Sequence, residues 1–287
     1  MAVALEVQGG HRWTRAVPLL VLVLFTLPIL ILYAWLLYSS FFRGMQGLRP
    51  LGDFTIDNWR FLWDQQSVDS LRNRPPIIPL TINTFIFAVG TAATVLLVSS
   101  MAGYALSRIK FPARRTFLGG VLLLHSFPAI SLLIATFIVL RTLGLYDQLL
   151  GVILVKTAFE LPFGVWIMKG FFDTVPWELE MAALVDGANR VVTWWRVVMP
   201  LVKPGLLALG LIAFVSGWNE FLLPFVFMPS GTQATLSQMI RGILSEGRFV
   251  DYGILTAVGL YYVLPVLVLF LFAQEQLMKI YAGGVKG

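Results

Sequence analysis

Cysteine is absent from the 287 residues, which excludes thiol catalysis, disulfide staples and thiolate-held zinc or iron–sulfur sites. Charge is scarce as well: Asp, Glu, Lys and Arg make up 13% of the chain, roughly half of what a soluble domain carries. No G-x-x-x-x-G-K-[ST] run occurs, so ATP phosphates lack their usual cradle, and neither H-E-x-x-H nor G-x-S-x-G is present. The chain is expected not to be an enzyme and to bind no metal or cofactor of its own.

What fills the space is apolar. Hydrophobic residues reach 58% and the mean hydropathy is +0.82, the composition of a polytopic membrane protein. The net charge of +6 sits in short basic clusters between apolar runs, a pattern that orients a chain in a bilayer rather than one that binds nucleic acid. A membrane helix needs about 20 apolar residues, and six runs qualify: 16–38, 81–106, 117–140, 149–171, 205–227 and 253–274. The first follows His11, Arg12 and Arg15; it exceeds a signal-peptide core and no A-x-A site follows, so it is expected to be retained. The expected fold class is an all-α membrane protein with six transmembrane helices.

Lysine and arginine in short loops set orientation. The loop after the second run holds Arg108, Lys110, Arg114 and Arg115 without an acid, whereas the loop after the third sets Arg141 against Asp147. The first loop is therefore expected on the cytoplasmic side. The expected organisation is a cytoplasmic N-terminus (1–15), a first transmembrane helix (16–38), an extracytoplasmic loop (39–80) and a five-helix core (81–287). That core includes a cytoplasmic loop (172–204) and a cytoplasmic tail (275–287). In the 39–80 loop, Trp59, Phe61 and Trp63 read as interfacial anchors at least as readily as a docking patch.

Loop 172–204 has its own pattern. Asp173 and Thr174 precede Pro176, and Glu178 and Glu180 follow it, which predicts a helix starting near 175 with proline in its first turn and acids at the positive dipole end. Trp177, Met181 and Leu184 form an apolar stripe, and Gly187 offers a turn with positive φ. A second short helix is expected with Arg190, Thr193 and Arg196 on one face and Val191, Trp194 and Val198 on the other, stopped by Pro200 and Pro204. The segment reads as a helix–turn–helix along the membrane surface. An interfacial linker fits the periodicity equally well.

The stretch "LPFGVWIMKGFFDTVPWELEMAALVDGANRVVTWWRVVMPLVKP" resembles the EAA loop of ABC importer permease subunits, E-A-A, three residues, G, nine residues, I-x-L-P. Ala183 to Gly187 keeps the spacing and Pro200 falls on the final proline, with Met199 at the penultimate leucine. "SGWNEFLLPFVF" and the ending "EQLMKIYAGGVKG" are similar to the carbohydrate-uptake branch, in particular to the maltose permease G type. The resemblance implies a type I ABC importer fold in which 172–204 is a coupling loop resting on a cytoplasmic ATPase. It places Glu180, Met181, Ala182, Ala183, Asp186, Gly187 and Pro200 at that contact, with Gly187 allowing the elbow to pack closely, and Gly283, Gly284 and Lys286 of the tail near the same ATPase. Met181 stands where the motif has glutamate. A one-residue offset turns a side chain by roughly 100°, so Glu180 is not expected to stand in for it.

Other polar residues carry less. Lys156 and Glu160, four apart in the fourth run, read as a structural ion pair more readily than as a pathway contact. Asn219 and Glu220 are open to two readings, lining of a pathway and bonding between helices. His125 reads as a packed histidine, and Met101, Gly103 and Ser107 as helix-packing surface.

The implied function is a permease subunit that forms the path for a sugar or oligosaccharide together with a second, related permease. Two ATPase copies that use ATP and Mg²⁺, an extracytoplasmic solute-binding protein and the lipid bilayer complete the expected set, in a bacterial or archaeal inner membrane with both termini inside. The alternative is a self-contained secondary transporter or channel, against which stand the missing internal repeat and the single buried Lys/Glu pair.

Overall fold

The computed structural model describes residues 10–46, 49–245 and 250–283. The chain forms two compact units, residues 1–73 with 243–262, and residues 74–242 with 263–287.

In the first unit, helix α1 (Gly10–Ser39) carries an apolar stretch, 17–39, none of whose most apolar window is buried; hydrocarbon all round is what lipid contact requires. An antiparallel hairpin follows, β1 (Phe42–Gln46) and β2 (Arg49–Phe54), with Phe42 opposite Phe54 and Gln46 opposite Arg49. Short 3₁₀ turns carry the chain from Asp57 to Leu71. The Asn58 amide donates to the carbonyls of Ser40 and Phe42 at 2.9 and 2.8 Å, which satisfies a buried polar group inside the loop. Phe61 is buried edge-on against Tyr261, and Trp59 donates from Nε1 to the Ser40 hydroxyl. Of the three aromatics read as surface anchors only Trp63 stays open, at 65% exposure; Phe61 is core.

The second unit is built on α2 (Ile77–Arg108), α5 (Leu149–Asp173) and α9 (Lys203–Trp218). Helices α2 and α5 run parallel: Gly90 faces Ile153 and Gly103 faces Met168 and Lys169. A Cβ on Gly103 would lie 2.8 Å from the Lys169 nitrogen, and one on Gly217 3.0 Å from the Ala88 Cα. Small residues at these crossings let backbones touch, the usual source of attraction between helices in lipid. Farther along, Phe87, Val152, Leu223 and Phe227 share a buried cluster.

Two of the expected spans are broken. The third is α3 (Arg114–His125), a 3₁₀ turn (Ala129–Leu132) and α4 (Leu133–Thr142), bent by 93°. Pro128 lacks the N–H a continuing helix needs and keeps Phe127 out of the helical region. The fifth divides into α9 and α10 (Leu222–Phe227). Pro224 has no N–H for the Glu220 carbonyl, which accepts the Ser237 hydroxyl at 2.8 Å instead. The 16 residues of α9 rise only about 24 Å, short of the hydrocarbon core of about 30 Å. Among the described residues four helices are long and apolar enough to cross a membrane unbroken, and up to six spans result if each of two bent pairs counts as one: Arg114–His125 with Ala129–Thr142, and Arg190–Leu201 with Lys203–Trp218, the latter bent by 80°. Helix α11 (Leu236–Leu244) precedes the last long helix, α12 (Tyr252–Gly283).

Candidate functional site

Thr174 caps the end of α5, and after Val175 and Pro176 the elbow begins with α6 (Trp177–Val185). Pro176 is the residue before the helix rather than part of its first turn, and its extended ψ of 135° sets the entry angle. Glu178 and Glu180 lie in the first turn, where the dipole favours acids. At the far end the amides of Asp186, Gly187 and Ala188 return to the carbonyls of Ala182, Leu184 and Ala183, and Gly187 holds φ +89°, the left-handed stop that glycine takes without a Cβ penalty. A Cβ there meets nothing within 4 Å. Within this chain the glycine is needed for its backbone angle.

The second half of the elbow is α7 (Arg190–Thr193), a π-helical turn (Trp194–Val198) and α8 (Met199–Leu201). Asn189 caps α7 through its side chain, which accepts the Val192 amide at 2.9 Å. The faces differ from the expected ones. Thr193 and Val198 are both buried, whereas Val191 is 70% exposed.

One face of α6 is sealed. Glu180 has no exposed surface, and its Oε2 lies 2.7 Å from Arg108 Nε at the end of α2. Its other oxygen accepts the Tyr104 hydroxyl at 2.5 Å. Arg108 also donates to the Val175 carbonyl at 2.9 Å and lies 5.5 Å from the centre of the Trp177 ring. One guanidinium thus meets Val175, two residues before α6, and the first and fourth residues of the helix. Ser107 donates to Asp173, which pairs with Lys169 at the end of α5. The opposite face is open: Met181 is 39% exposed and Val185 83%, joined by Trp195 at 61%. Ala182, Asp186, Gly187 and Pro200 are also exposed, and Ala183 is half-buried. The single step from residue 180 to 181 separates a buried carboxylate from an outward thioether. In the sequence Arg108 reads as an orientation charge and nothing singles out Tyr104. Both stand far from Glu180 along the chain, and no local spacing marks them.

A second charged cluster lies between α5 and the break after α9. Lys156 Nζ is 3.1 Å from Glu160 Oε1 and 2.8 Å from Glu220 Oε2, with all three side chains 11–15% exposed. Ser216 donates to Glu160 at 2.6 Å, and Glu220 Oε1 accepts the Leu223 amide at 3.2 Å. The expected pair is a triad, one cation between two carboxylates. Ser216, Asn219 and Glu220 border an open cleft of about 530 Å³ with Leu211, Ile212 and Val215. His125 is exposed, its Nδ1 3.1 Å from the Phe159 carbonyl and its ring stacked on Phe163. Among the described residues no group of three or more His, Asp or Glu is arranged to hold a metal ion. Gly283 ends α12; Gly284 and Lys286 lie outside the described residues.

The apolar helices carry a two-helix elbow with one face locked to the bundle and the other open, and matches to a family model and to a solved transporter give the chain the type I ABC importer permease fold. Ninety-two per cent of the chain matches 96% of a chain of a bacterial ABC transporter involved in the import of the acidic polysaccharide alginate, with a TM-score of 0.70 and 24% identity. Residues 96–275 match the model of the binding-protein-dependent transport system inner membrane component, and the chain belongs to that family. It is 33% identical to the sulfoquinovosyl glycerol transport system permease protein SmoH of Agrobacterium fabrum over 74% of each chain. It is 29% identical to the maltodextrin transport system permease protein MdxG of Bacillus subtilis over 91% of this chain and 93% of that one.

Proposed function

We propose that the chain is a non-enzymatic permease subunit of a sugar importer, that it pairs with a second permease, and that its elbow docks on a cytoplasmic ATPase. The observation that carries this is the two-sided elbow. Met181, Val185, Val191 and Trp195 present apolar surface that the chain itself leaves uncovered, on a segment that belongs to a binding-protein-dependent transport family. A groove on an ATPase is the partner that such a face fits, since a rigid, partly apolar ridge transmits displacement. Glu180 stays out of that contact; Met181, Ala182, Asp186, Gly187 and Pro200 make it.

On this reading the basic loop after α2, the elbow and both termini are cytoplasmic, segment 39–80 faces the binding protein, and the chain lies in an inner membrane. The chain binds no cofactor; ATP and Mg²⁺ belong to the ATPase, and the tail residues Gly283, Gly284 and Lys286 reach toward it. The names of the relatives, a maltodextrin and a sulfoquinovosyl glycerol permease among them, support a carbohydrate or glycoside cargo. Rocking of two permease halves would expose the path alternately to each side. The test is gentle extraction of the tagged chain from its native membrane and mass spectrometry of what copurifies, for wild type and Gly187→Val. An ATPase and a second permease in the wild-type complex, with the ATPase depleted by Gly187→Val, support the proposal. A chain that emerges alone and moves solute in vesicles without ATP overturns it in favour of a secondary transporter.

A further inference from the structure

The Arg108, Glu180 and Tyr104 cluster ties the elbow to a helix that does not adjoin it in sequence. Helix α6 is joined covalently to α5 on one side and, through the second half of the elbow, to α9 on the other. A push on α6 is therefore expected to reach α5 and α9 first, with α2 following only as far as packing drags it. The side chains say otherwise. Arg108 is the last residue of α2, and it holds Val175, Trp177 and Glu180 together. One turn earlier Tyr104 takes the second oxygen of the same carboxylate.

Both ends of the charge pair are shut off from solvent, Glu180 at 0% and Arg108 at 7% side-chain exposure. A pair on the surface costs little to break. A pair at this depth cannot be parted without leaving a buried charge uncompensated. Sliding α6 against α2 would part it. The neighbouring ties act in the same sense, because Ser107 of α2 donates to Asp173 at the end of α5, and Tyr104 packs edge-on against Phe172 at 5.6 Å.

We infer that Glu180 is a positioning residue: it makes α6 and the Arg108 end of α2 one rigid body, so that displacement of the elbow is delivered directly to α2. This deepens the coupling reading proposed above and rests on it. It also gives the two adjacent positions separate tasks, with Met181 facing the ATPase and Glu180 fastening the elbow to the bundle.

The chain has no cysteine, so spin labels can be placed on an otherwise unaltered protein. Leu97 on α2 and Leu179 on α6 are 57% and 46% exposed and lie away from the outward stripe of Met181 and Val185. In the copurified complex, reconstituted in lipid nanodiscs, the distance between the two labels is measured without nucleotide and with ATP and vanadate. The expected result is a distance that holds within about 2 Å, the scale of ordinary helix shifts, in the wild type. In Glu180→Gln it changes between the two states or broadens. Arg108→Lys is the second variant, since it keeps the charge but loses the fork that reaches Val175 and Glu180 together; it is expected to loosen the same distance. A wild-type distance that changes with nucleotide overturns the inference while the ATPase still copurifies, and so does a distance that stays fixed in both variants. A preparation without any ATPase overturns the functional reading and this inference with it.

Discussion

The two buried charge clusters of the helical bundle are built on opposite plans. At the elbow one cation meets one carboxylate, with almost no solvent and a tyrosine on the spare oxygen. Between α5 and α10 one cation meets two carboxylates, each side chain keeps a little exposure, and an open cleft adjoins. The first is balanced and closed, as a joint must be if it carries force. The second holds a surplus carboxylate, which burial disfavours unless hydrogen bonds or water share the charge. The Ser216 hydroxyl and the Leu223 amide do part of this. A sealed pair is suited to holding two helices in fixed relation, whereas a half-open triad at a helix break is suited to a place where helices shift.

The difference predicts unequal responses to losing the cation. Arg108→Ala leaves the enclosed Glu180 without its cation, and should destabilise the protein by about 3–5 kcal/mol. Thermal unfolding in detergent checks this, and adding Glu180→Gln to Arg108→Ala should restore much of the loss. Equal melting of the single and double variants would mean that the pair is not coupled.

The triad should respond with a different sign pattern. Lys156→Met leaves Glu160 and Glu220 facing each other and should cost about 2–3 kcal/mol, less than Arg108→Ala because the cluster is partly open. Glu160→Gln and Glu220→Gln each leave a balanced pair and should be milder than Lys156→Met. If either acid variant proves the more damaging, the surplus carboxylate has a partner other than Lys156.

The packing beside the joint gives a smaller effect. Gly103→Ala puts a Cβ 2.8 Å from the Lys169 backbone nitrogen, so α2 and α5 must move apart, at about 1–3 kcal/mol. Since Tyr104 and Arg108 lie on the same stretch of α2, the Leu97 to Leu179 distance distribution should broaden as well. Lower stability with an unchanged distribution would show that the joint holds independently of helix packing.

Much of this architecture is legible in the residues. Long apolar runs locate α1, α2, α5 and α12 because a bilayer demands length and hydrophobicity, and both are local properties. Gly187 and the two-helix elbow follow from the same local logic. Pro128 and Pro224 stand at the breaks in the third and fifth runs, but a reading by length and apolar composition of a whole span does not register single prolines. What periodicity could not supply was pairing. Glu180 finds Tyr104 at a separation of 76 positions, and Glu220 reaches Lys156 only because α9 and α5 pack together. The π turn at Trp194–Val198 has no sequence mark either, and neither does the burial of Thr193 in place of Val191.

A third charged group, outside the spans, sets the lower limit of the comparison. Asp57 sits between Arg43 at 2.7 Å and Arg60 at 2.9 Å, on the open surface of the 39–80 segment. The hydrogen bond from Thr55, then that from Arg43, hold its carboxyl below the ordinary aspartate value. A lowered folded-state pKa means that the contribution to stability is complete above the unfolded value of about 3.9 and disappears as pH falls through the lower folded value. Wild type and Asp57→Asn should therefore differ by a small, constant amount in melting temperature from pH 7 to about pH 5. The gap should close only on further acidification. Added salt should shrink it, since exposed pairs are screened, while the effect of Arg108→Ala should hardly change. An Asp57→Asn effect as large as that of Arg108→Ala, or one insensitive to salt, would show that solvent exposure is not what separates these clusters.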